Sequence, residues 1–401
     1  MRRREKGEPV DEYYDLIIIG GGPAGLAAGI YGGRARLKTL LLEKGNIGGR
    51  VFTTREIVNY PSVEESSGPE LMEKMEKHAR DFGVEIRKER VKAVDLNTPD
   101  KIVRTRKNTY HAKAVIIATG TSERILGVPG EREFTGSGVS YCATCDAAFY
   151  QDQDVVVLGS GDQAVEESGF IAKYAKSVTI VVVHDEGILD CNQMSAEQAF
   201  KNPKLHFVWN STIAEVYGGD EVEGVKLKNV QTGEISDMPC QGVFFFVGAV
   251  PETEFLEGEV PRGFGGWLET GDDLKTSVCG VYAAGDVRKK YLRQVATAVG
   301  DGATAATAAE RYITEMDQFN DDVVNSDEPV LVGFWDPNIP GSMDMLASIR
   351  EHNRNAEHPL RFVELDVSRK RWIAHQYNIH LNEGNKAQAM RMGKDTEVSY
   401  V

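Results

Sequence analysis

The stretch DLIIIGGGPAGLAAGIYGGRARLKTLLLEKG, residues 15–45, decides the fold of the first part of this chain. Its wholly apolar run at 16–19 predicts a strand that is buried on both faces of a sheet. An alanine-rich stretch of helical character follows, and a second apolar run at 39–42 predicts the next strand. This order of strand, helix and strand predicts a parallel α/β unit.

Three glycines lie in the predicted turn between the first strand and the helix. Gly20, Gly22 and Gly25 have the spacing G-x-G-x-x-G, and Glu43 stands 23 residues after Gly20. Such glycines let the backbone approach a pyrophosphate at a helix N-terminus, and an acid about 20 residues further on holds a ribose hydroxyl. The combination predicts a dinucleotide site, whereas a merely tight turn would not need the acid.

The pattern returns in DVVVLGSGDQAVEESGFIAKYAKSVTIVVVHDE, residues 154–186, which again has an apolar run, a glycine loop, a helical stretch and an apolar run. The strands are expected at 155–158 and 178–183. The residues of this second candidate nucleotide site are Gly159, Gly161, Asp162, Ala164 and Asp185. The chain therefore contains two copies of one unit.

The second copy differs from the first at the position that would hold the ribose. Val182 stands 23 residues after Gly159 and cannot hydrogen-bond a hydroxyl, whereas Asp185 follows three residues later. No arginine occurs between Gly159 and Arg262, so a 2′-phosphate would lack a bidentate partner here. Two interpretations stay open: an altered nucleotide site, or a domain that keeps its shape and has lost its nucleotide.

Two later segments predict further parts of the first unit. AKAVIIATG, residues 112–120, predicts a buried strand, and residues 279–313 predict a strand, a Gly-Asp turn and a long helix. Asp286 in that turn could accept hydrogen bonds from sugar-chain hydroxyls, although alone it would be an ordinary turn acid. The helix start near Arg293 and Gln294 offers N–H groups to an electron-rich ring.

Cys142 and Cys145 form a C-x-x-C pair, and Asp146 follows directly. A zinc site needs about four ligands, and no second C-x-x-C exists, so no metal is predicted. A structural staple is disfavoured because so short a loop constrains the unfolded chain little. A pair near a helix start favours thiol exchange, and Asp146 can supply or take a proton, so we interpret the pair as a redox couple. The other three cysteines are interpreted as buried small hydrophobes.

Bulk properties exclude several classes of protein. The length of 401 residues predicts two or three domains. A net charge of −15 disfavours nucleic acid and anionic membranes as partners. Five scattered cysteines do not form a secreted disulfide framework, and the apolar run at 243–250 is too short to span a bilayer. The N-terminus has no signal-peptide core, so we expect a soluble, cytoplasmic protein.

The order of these motifs resembles that of the low-molecular-weight thioredoxin reductases, flavoproteins of the pyridine-nucleotide disulfide oxidoreductase group. The resemblance runs from about residue 13 to 316. The matching motifs are GGGPAG near the start, NYP at 59–61, ATG at 118–120, GVSYCATCD at 138–146, GSGDQAVEE at 159–167, AAGD at 283–286 and RQVATAVGDG at 293–302.

The resemblance implies that FAD binds the first unit and that Cys145 faces it, while Cys142 attacks a substrate disulfide and Asp146 is the acid and base. The residues implied to bind FAD are Gly20, Gly22, Pro23, Ala24, Gly25, Glu43, Lys44, Gly49, Asn59, Ala118, Thr119, Gly120, Gly285, Asp286, Arg293, Gln294 and Val295. It also implies a rotating cysteine-bearing domain, a thioredoxin or thioredoxin-like partner and a homodimer.

The chain departs from the family at the site for the electron donor. The family's second strand usually ends in H-R-R-x-x-x-R, which holds the 2′-phosphate of NADPH, but here Asp185 and Glu186 follow His184. NADPH is therefore disfavoured, and NADH, a ferredoxin or a deazaflavin stays open as donor. A short basic cluster is interpreted as a solvated turn or as the docking site of a protein donor. Its members are Arg288, Lys289, Lys290 and Arg293.

The chain continues beyond the length of such a reductase, past an acidic linker at 321–329. The following residues predict strand, helix, strand, short helix and a hairpin turning at 393–396, an order that resembles thioredoxin. The active segment W-C-G-P-C reads WDPNIPGS here, and the usual proline near Lys386 is missing. We expect a thioredoxin-like unit without redox cysteines, which either stabilises or dimerises the protein or covers a docking surface.

Together the patterns predict an α/β fold with two dinucleotide-binding, Rossmann-like, three-layer domains and a small C-terminal thioredoxin-like α/β domain. The expected boundaries are 1–123 and 247–320 for a discontinuous FAD domain, 124–246 for the domain with the C-x-x-C pair, 321–329 for the linker and 330–401 for the last domain. The expected function is flavin-dependent reduction of a thioredoxin-like protein. The alternatives are a reductase of another partner, such as a peroxidase, and a flavin-bound regulatory protein that has lost its donor.

Overall fold

The computed structural model describes residues 11–54, 57, 59–63, 66–394 and 399–400. Its strands are β1 (Asp11–Ile19), β2 (Thr39–Glu43), β3 (Glu85–Lys88), β4 (Val91–Asp95), β5 (Lys101–Thr105), β6 (Thr109–Ile117), β7 (Thr121–Glu123), β8 (Val139–Ser140), β9 (Asp154–Leu158), β10 (Ser177–Val181), β11 (Leu205–Val208), β12 (Ser211–Gly218), β13 (Val222–Asn229), β14 (Ile235–Pro239), β15 (Gly242–Phe245), β16 (Ala249–Pro251), β17 (Val281–Ala283), β18 (Val330–Trp335), β19 (Arg361–Asp366), β20 (Ala387–Met392) and β21 (Ser399–Tyr400). Its α-helices are α1 (Pro23–Arg34), α2 (Gly68–Asp81), α3 (Ala143–Asp146), α4 (Asp162–Ile171), α5 (Gln193–Lys201), α6 (Val295–Phe319), α7 (Ser342–Arg354) and α8 (Arg371–Gln376).

The first unit is built on a mixed sheet with the order β3-β2-β1-β6-β5-β4, in which β17 also pairs with β6. Strands β2, β1, β6 and β17 run parallel, so their carboxyl ends meet at one edge of the sheet. Leu16 and Ile18 face a core shared with α1 and α6, while Ile17 and Ile19 face a second core on the other side of the sheet. Burial on both faces explains why the strand is wholly apolar.

The second unit repeats the parallel arrangement with the order β11-β10-β9-β15-β8. Val155 and Val157 of β9 contact a core that includes residues of α3 and α4. Val156 and Leu158 point to the other core, which is closed by the antiparallel sheet of β12, β13 and β14. The chain passes between the two units at β7 and β16, which pair with each other.

The C-terminal unit is a four-stranded sheet with the order β19-β18-β20-β21. Strand β19 is parallel to β18, and β20 and β21 follow as antiparallel neighbours. The predicted turn of this hairpin lies partly outside the described residues. No cis peptide bond occurs in the part of the chain that the structure describes.

The C-terminal unit is fixed to the end of α6. The expected linker at 321–329 begins inside a π-helical turn, Asn320–Val324, that continues α6. Trp372 lies edge-on to Tyr312 and Phe319 of α6, with ring centroids 5.7 and 5.8 Å apart. Helix α6 begins at Val295, so at about 1.5 Å per residue Tyr312 and Phe319 lie about 26 and about 36 Å from the start of the helix.

The α/β elements predicted around both glycine loops are confirmed, and the two-domain α/β architecture with them. Several bounds differ from the expected ones. Strand β1 begins at Asp11, β2 ends at Glu43, β9 begins at Asp154, and β10 runs from Ser177 to Val181 and not to Val183. Among the described helices, none combines the length and the apolar character needed to cross a bilayer.

Candidate active site

The first glycine loop has a backbone that only glycine can supply at two of its positions. Gly20 has a φ of +111°, and a Cβ there would lie 2.3 Å from the carbonyl oxygen of Ala118. A Cβ at Gly25 would lie 1.8 Å from the carbonyl oxygen of Gly20. At Gly22, the N-cap of α1, an added Cβ would meet nothing within 4 Å. The loop therefore leaves open space in front of N–H groups that could bind an anion.

Glu43 stands at the end of β2 beside this loop and is almost completely buried. Its Oε2 accepts a hydrogen bond from Gly21 N–H and its Oε1 one from Gly45 N–H, both at 2.7 Å. The carboxylate lines a cavity of about 380 Å³ together with Lys44 and Thr119. These bonds hold the acid at the place where a nucleoside could contact it.

Asp286 lies in the turn after β17, at the same edge of the sheet. Burial raises the pKa of its carboxyl group. Among the described residues, its Oδ1 atom is buried and has no hydrogen-bond partner. A buried acceptor without a donor is costly, so a donor such as a ligand hydroxyl fits this position. The open loop, the buried carboxylate of Glu43 and this acceptor together fit FAD.

The start of α6 adds three of the predicted ligands to the same region. Gln294 is the N-cap of α6, directly before Val295, and it accepts a hydrogen bond from Asn59 Nδ2 at 3.1 Å. The Arg293 guanidinium lies 3.9 Å from the centroid of the Trp267 ring. Gly49 is also close, since an added Cβ there would lie 3.6 Å from Gly22 Cα. The remaining predicted FAD ligands lie in the first turn of α1 or in the loops after β1, β2, β6 and β17, at the shared edge of the sheet.

The cysteine pair stands at the start of α3, as the sequence predicts. Cys142 is the N-cap residue and forms a disulfide bond with Cys145. The Cys145 N–H points at Cys142 Sγ, at a distance of 3.3 Å. An N–H group directed at a sulfur stabilises its thiolate, so this contact favours negative charge on Cys142 after reduction.

Ser140 connects Asp146 with the cysteine pair, and sequence reasoning missed it. Its hydroxyl donates to Asp146 Oδ2 at 2.6 Å and accepts the Cys142 N–H at 3.1 Å. The serine is buried, which keeps this connection away from solvent. The acid is thus held on the same small network as the first cysteine.

The turn between the cysteines touches the first unit. Thr144 Oγ1 donates to the carbonyl oxygen of Thr53 at 2.6 Å. Thr144 also lines a large open cleft, about 1210 Å³ in volume, whose walls come from both units. The cysteine pair therefore lies at the boundary between the two units.

The other three cysteines have pKa values raised by burial. Cys240 is buried, and its pKa rises to about 12. Cys191 and Cys279 are only half-buried, so the expectation of full burial is wrong for these two. A protonated thiol is a poor nucleophile, which leaves Cys142 and Cys145 as the reactive pair. Within the described ranges, no group of three or more His, Cys, Asp or Glu side chains could hold a metal ion.

The second glycine loop is hydrogen-bonded to the side chain of a nearby acid, Asp190. Asp190 N–H donates to the carbonyl oxygen of Ser160 at 2.8 Å, and Ser160 Oγ donates to Asp190 Oδ2 at 2.6 Å. His184 Nε2 lies 2.6 Å from the same oxygen. The Ser160 hydrogen bond and then that of His184 lower the pKa of Asp190, so the acid stays ionised beside the loop. Sequence reasoning missed Asp190, although it stands where the last arginine of H-R-R-x-x-x-R would be.

The predicted ribose acid of this unit does not point to its glycine loop. Val182 is fully buried at the position that corresponds to Glu43. Asp185 is exposed, and its Oδ1 accepts a hydrogen bond from Gln231 Nε2 at 2.8 Å. Asp162, in the first turn of α4, accepts the backbone and side-chain N–H groups of Asn192.

Two members of the basic cluster after Asp286 are held inside the protein by an acid of α6. Arg288 and Lys290 are largely buried, and each contacts a carboxylate oxygen of Asp301 at 2.8 Å. Only Lys289 pairs at the surface, with Glu269. Both sequence-based interpretations are therefore wrong for Arg288 and Lys290, because spacing alone does not show that α6 supplies an acid.

Comparison with known proteins agrees with this geometry. The family model of the pyridine nucleotide-disulphide oxidoreductases matches residues 14–302. A thioredoxin reductase of Peptoclostridium acidaminophilum is 48% identical over 311 residues, which cover 76% of this chain and 98% of that protein.

Two solved structures are similar to about three-quarters of this chain. The thioredoxin reductase of Lactococcus lactis in its FR conformation is 42% identical, covers 75% of this chain and 99% of its own, and has a TM-score of 0.73. The thioredoxin reductase of Streptococcus pyogenes is also 42% identical, covers 76% and 100%, and has a TM-score of 0.52. This chain belongs to the pyridine nucleotide-disulphide oxidoreductases and is an oxidoreductase of the thioredoxin reductase type.

Proposed function

We propose that this protein reduces the disulfide of a thioredoxin-like protein with electrons that reach Cys142 and Cys145 from FAD bound in the first unit. Bound FAD supplies the electron pair that opens the Cys142–Cys145 disulfide. The observation that carries the proposal is a reactive cysteine pair at the boundary between this unit and one whose loop fits a flavin dinucleotide. A homodimer stays a prediction from the family resemblance.

The residues around the pair support a defined exchange. The Cys142 thiolate attacks one sulfur of the partner disulfide, and the partner's other sulfur leaves as a thiolate that takes a proton. Cys145 then attacks Cys142, so the partner leaves as a dithiol and the Cys142–Cys145 disulfide forms again. Asp146 supports the proton transfers through the Ser140 hydroxyl, which bonds to it at 2.6 Å.

For the donor, we propose that NADPH is not the physiological reductant. A 2′-phosphate needs cations, but the loop after β10 presents Asp185, Glu186 and Asp190, and the last of these is bonded to the glycine loop. Charge-assisted contacts to a phosphate contribute about 1.5–3 kcal/mol each, and here repulsion takes their place. NADH, a deazaflavin or a reduced ferredoxin is the proposed class of donor.

The test is anaerobic mixing of the purified flavoprotein with NADPH, NADH, a reduced deazaflavin and reduced ferredoxin, with flavin absorbance as the readout. We expect at least one of the last three to bleach the flavin faster than NADPH does. The bleached enzyme should then reduce thioredoxin, while a Cys142→Ser variant should not. Fastest bleaching by NADPH would overturn the donor proposal, and a flavin that none of them bleaches would overturn the enzymatic one.

For the C-terminal unit, we propose a thioredoxin-like fold that stabilises the protein without redox chemistry. The sheet order, with β18 between β19 and β20, supports this fold. Ser342 ends the segment WDPNIPGS, and its buried hydroxyl donates to the Lys386 carbonyl and accepts the Asp336 N–H. The unit packs against the end of α6 that is far from the candidate flavin site. This position favours a role in stabilising the protein over a role in covering a docking surface.

Deletion of residues 325–401 tests this role. We expect a lower Tm and an unchanged KM for thioredoxin, because the cut exposes Phe319 and Tyr312 but leaves the cysteine pair intact. A large change in KM with an unchanged Tm would instead support the covering role.

A further inference from the structure

One largely buried carboxylate outside the predicted site accepts hydrogen bonds from three donors in the loop that carries Asp286. Asp301 lies on α6 with its side chain 13% exposed. Its Oδ2 accepts the Gly285 N–H at 3.0 Å and Lys290 Nζ at 2.8 Å. Its Oδ1 accepts Arg288 Nη1 at 2.8 Å. A single side chain thus holds the beginning, the middle and the end of residues 285–290.

This loop has little freedom to compensate if that acid is lost. Gly285 has a φ of +77°, and a Cβ there would lie 2.8 Å from the Cβ of Ala24 in α1. The loop therefore passes close to the first glycine loop, with Asp286 immediately after the glycine. Since Asp286 Oδ1 has no partner among the described residues, its position is set by the backbone that Asp301 holds.

The contacts of Asp301 also neutralise two cations that are largely buried. The side chains of Arg288 and Lys290 are 17% and 8% exposed, and both form ion pairs with the carboxylate of Asp301. Buried cations that lose a paired carboxylate are strongly destabilising. An uncompensated pair of cations would also make the surroundings of Asp286 more positive.

We propose that Asp301 is a positioning residue of the flavin site, which fixes the loop of Asp286 and sets the local charge that a bound flavin experiences. This inference rests on the proposed function, since it requires FAD in the first unit. It predicts two separate consequences of losing the acid. FAD should bind more weakly because Asp286 moves, and the flavin midpoint potential should rise because positive surroundings favour the electron-rich reduced form.

The experiment compares Asp301→Asn with a matched control on the same helix. Asp317 also accepts a lysine, Lys113 Nζ at 2.7 Å, but at the far end of α6. Apoprotein of each variant is titrated with FAD, its Tm is measured without FAD, and the midpoint potential is measured with FAD bound. We expect Asp301→Asn to raise the Kd for FAD about tenfold or more and to raise the potential. Asp317→Asn should leave both within error of the wild type.

A third variant separates charge from general damage and serves if Asp301→Asn does not fold. Asp301→Asn combined with Arg288→Met and Lys290→Met removes the acid and both cations together. Its potential should return toward the wild-type value, because no uncompensated cation remains. A triple variant that keeps the raised potential, or an Asp301→Asn variant with wild-type Kd and potential, would overturn the role of Asp301 alone. A wild-type apoprotein that binds no FAD would overturn the proposed function as well.

Discussion

The chain contains two strand–glycine loop–helix units whose backbones agree and whose surroundings differ. The second glycine of each loop, Gly22 or Gly161, faces open space. At the first loop, Glu43 stands at the end of the neighbouring strand. At the second, Val182 takes the place of Glu43, and Asp190 is bonded to Ser160 in the loop itself. The glycines fix a backbone shape, but the side chains around that shape decide which charge it can receive.

The largest expected effect comes from exchanging the third residue of the glycine motif, which is Gly25 in the first loop and Ala164 in the second. In Gly25→Ala the new Cβ would lie 1.8 Å from Gly20 O, whereas the second loop already has Ala164 at this position. We expect Gly25→Ala to purify without FAD. Ala164→Gly, the reverse exchange, should keep a full complement, measured as flavin absorbance per protein. A yellow Gly25→Ala protein with normal stoichiometry would contradict the close packing of this loop.

Next in size is the loss of Glu43, the acid proposed to hold the ribose. Glu43→Gln places an amide NH₂ against either the Gly21 or the Gly45 N–H, since each carboxylate oxygen accepts one of them. Losing charge-assisted bonds of about 1.5–3 kcal/mol should weaken FAD binding by about 10-fold to 100-fold in titrations of the apoprotein. The matched control is Asp185→Asn, which changes the acid that sequence reasoning assigned to the other unit. Equal losses in both variants would mean that the two units are not as different as their surroundings suggest.

A third test converts the second loop toward the family pattern. Asp185→Arg, Glu186→Arg and Asp190→Arg together replace three acids with the cations that a 2′-phosphate requires. We expect the KM for NADPH to fall by about tenfold in flavin reduction, with a smaller change for NADH, which lacks that phosphate. The single variant Asp185→Arg is the control, because Asp185 contacts Gln231 and not the glycine loop. An unchanged KM for NADPH in the triple variant would show that factors other than charge also prevent NADPH binding at this site.

Sequence patterns predicted the strands, the glycine loops and the cysteine pair, because these features depend on residues that are close together along the chain. The apolar runs gave β1, β2, β9 and β10, because strands buried on both faces must be apolar. The glycine spacing and the C-x-x-C pair at a helix start were also local signals, and the structure confirms both positions.

The missed residues act across the fold. Asp301 meets the Gly285 loop from α6, and Asp190 returns to Ser160 after helix α4, strand β10 and a turn. Neither contact follows from spacing, since an acid on a helix or in a loop is usually solvated. For the same reason the basic cluster was misinterpreted, because its acid lies on another element.

The smallest expected effect concerns the pH dependence of the second loop. The pKa of Asp190 is lowered in the folded protein, first by the Ser160 hydroxyl and then by His184. A lowered carboxyl pKa contributes stability that is present above the ordinary value of 3.8 and is lost as the pH falls through the folded value. Asp190 is 60% exposed, so solvent screening limits this contribution to less than about 1 kcal/mol.

Urea unfolding of the wild type and of Asp190→Asn, at neutral pH and at about pH 3, measures this contribution. The wild type should be slightly more stable at neutral pH, and the difference should shrink in acid as the carboxylate is protonated. Asp162→Asn is a useful comparison, since that acid bonds Asn192 and not Ser160. If Asp190→Asn were more stable at neutral pH, the carboxylate would be held against the loop at a cost. A carboxylate that lowers the stability of the folded protein in this way would have a role in excluding a nucleotide phosphate and not in folding.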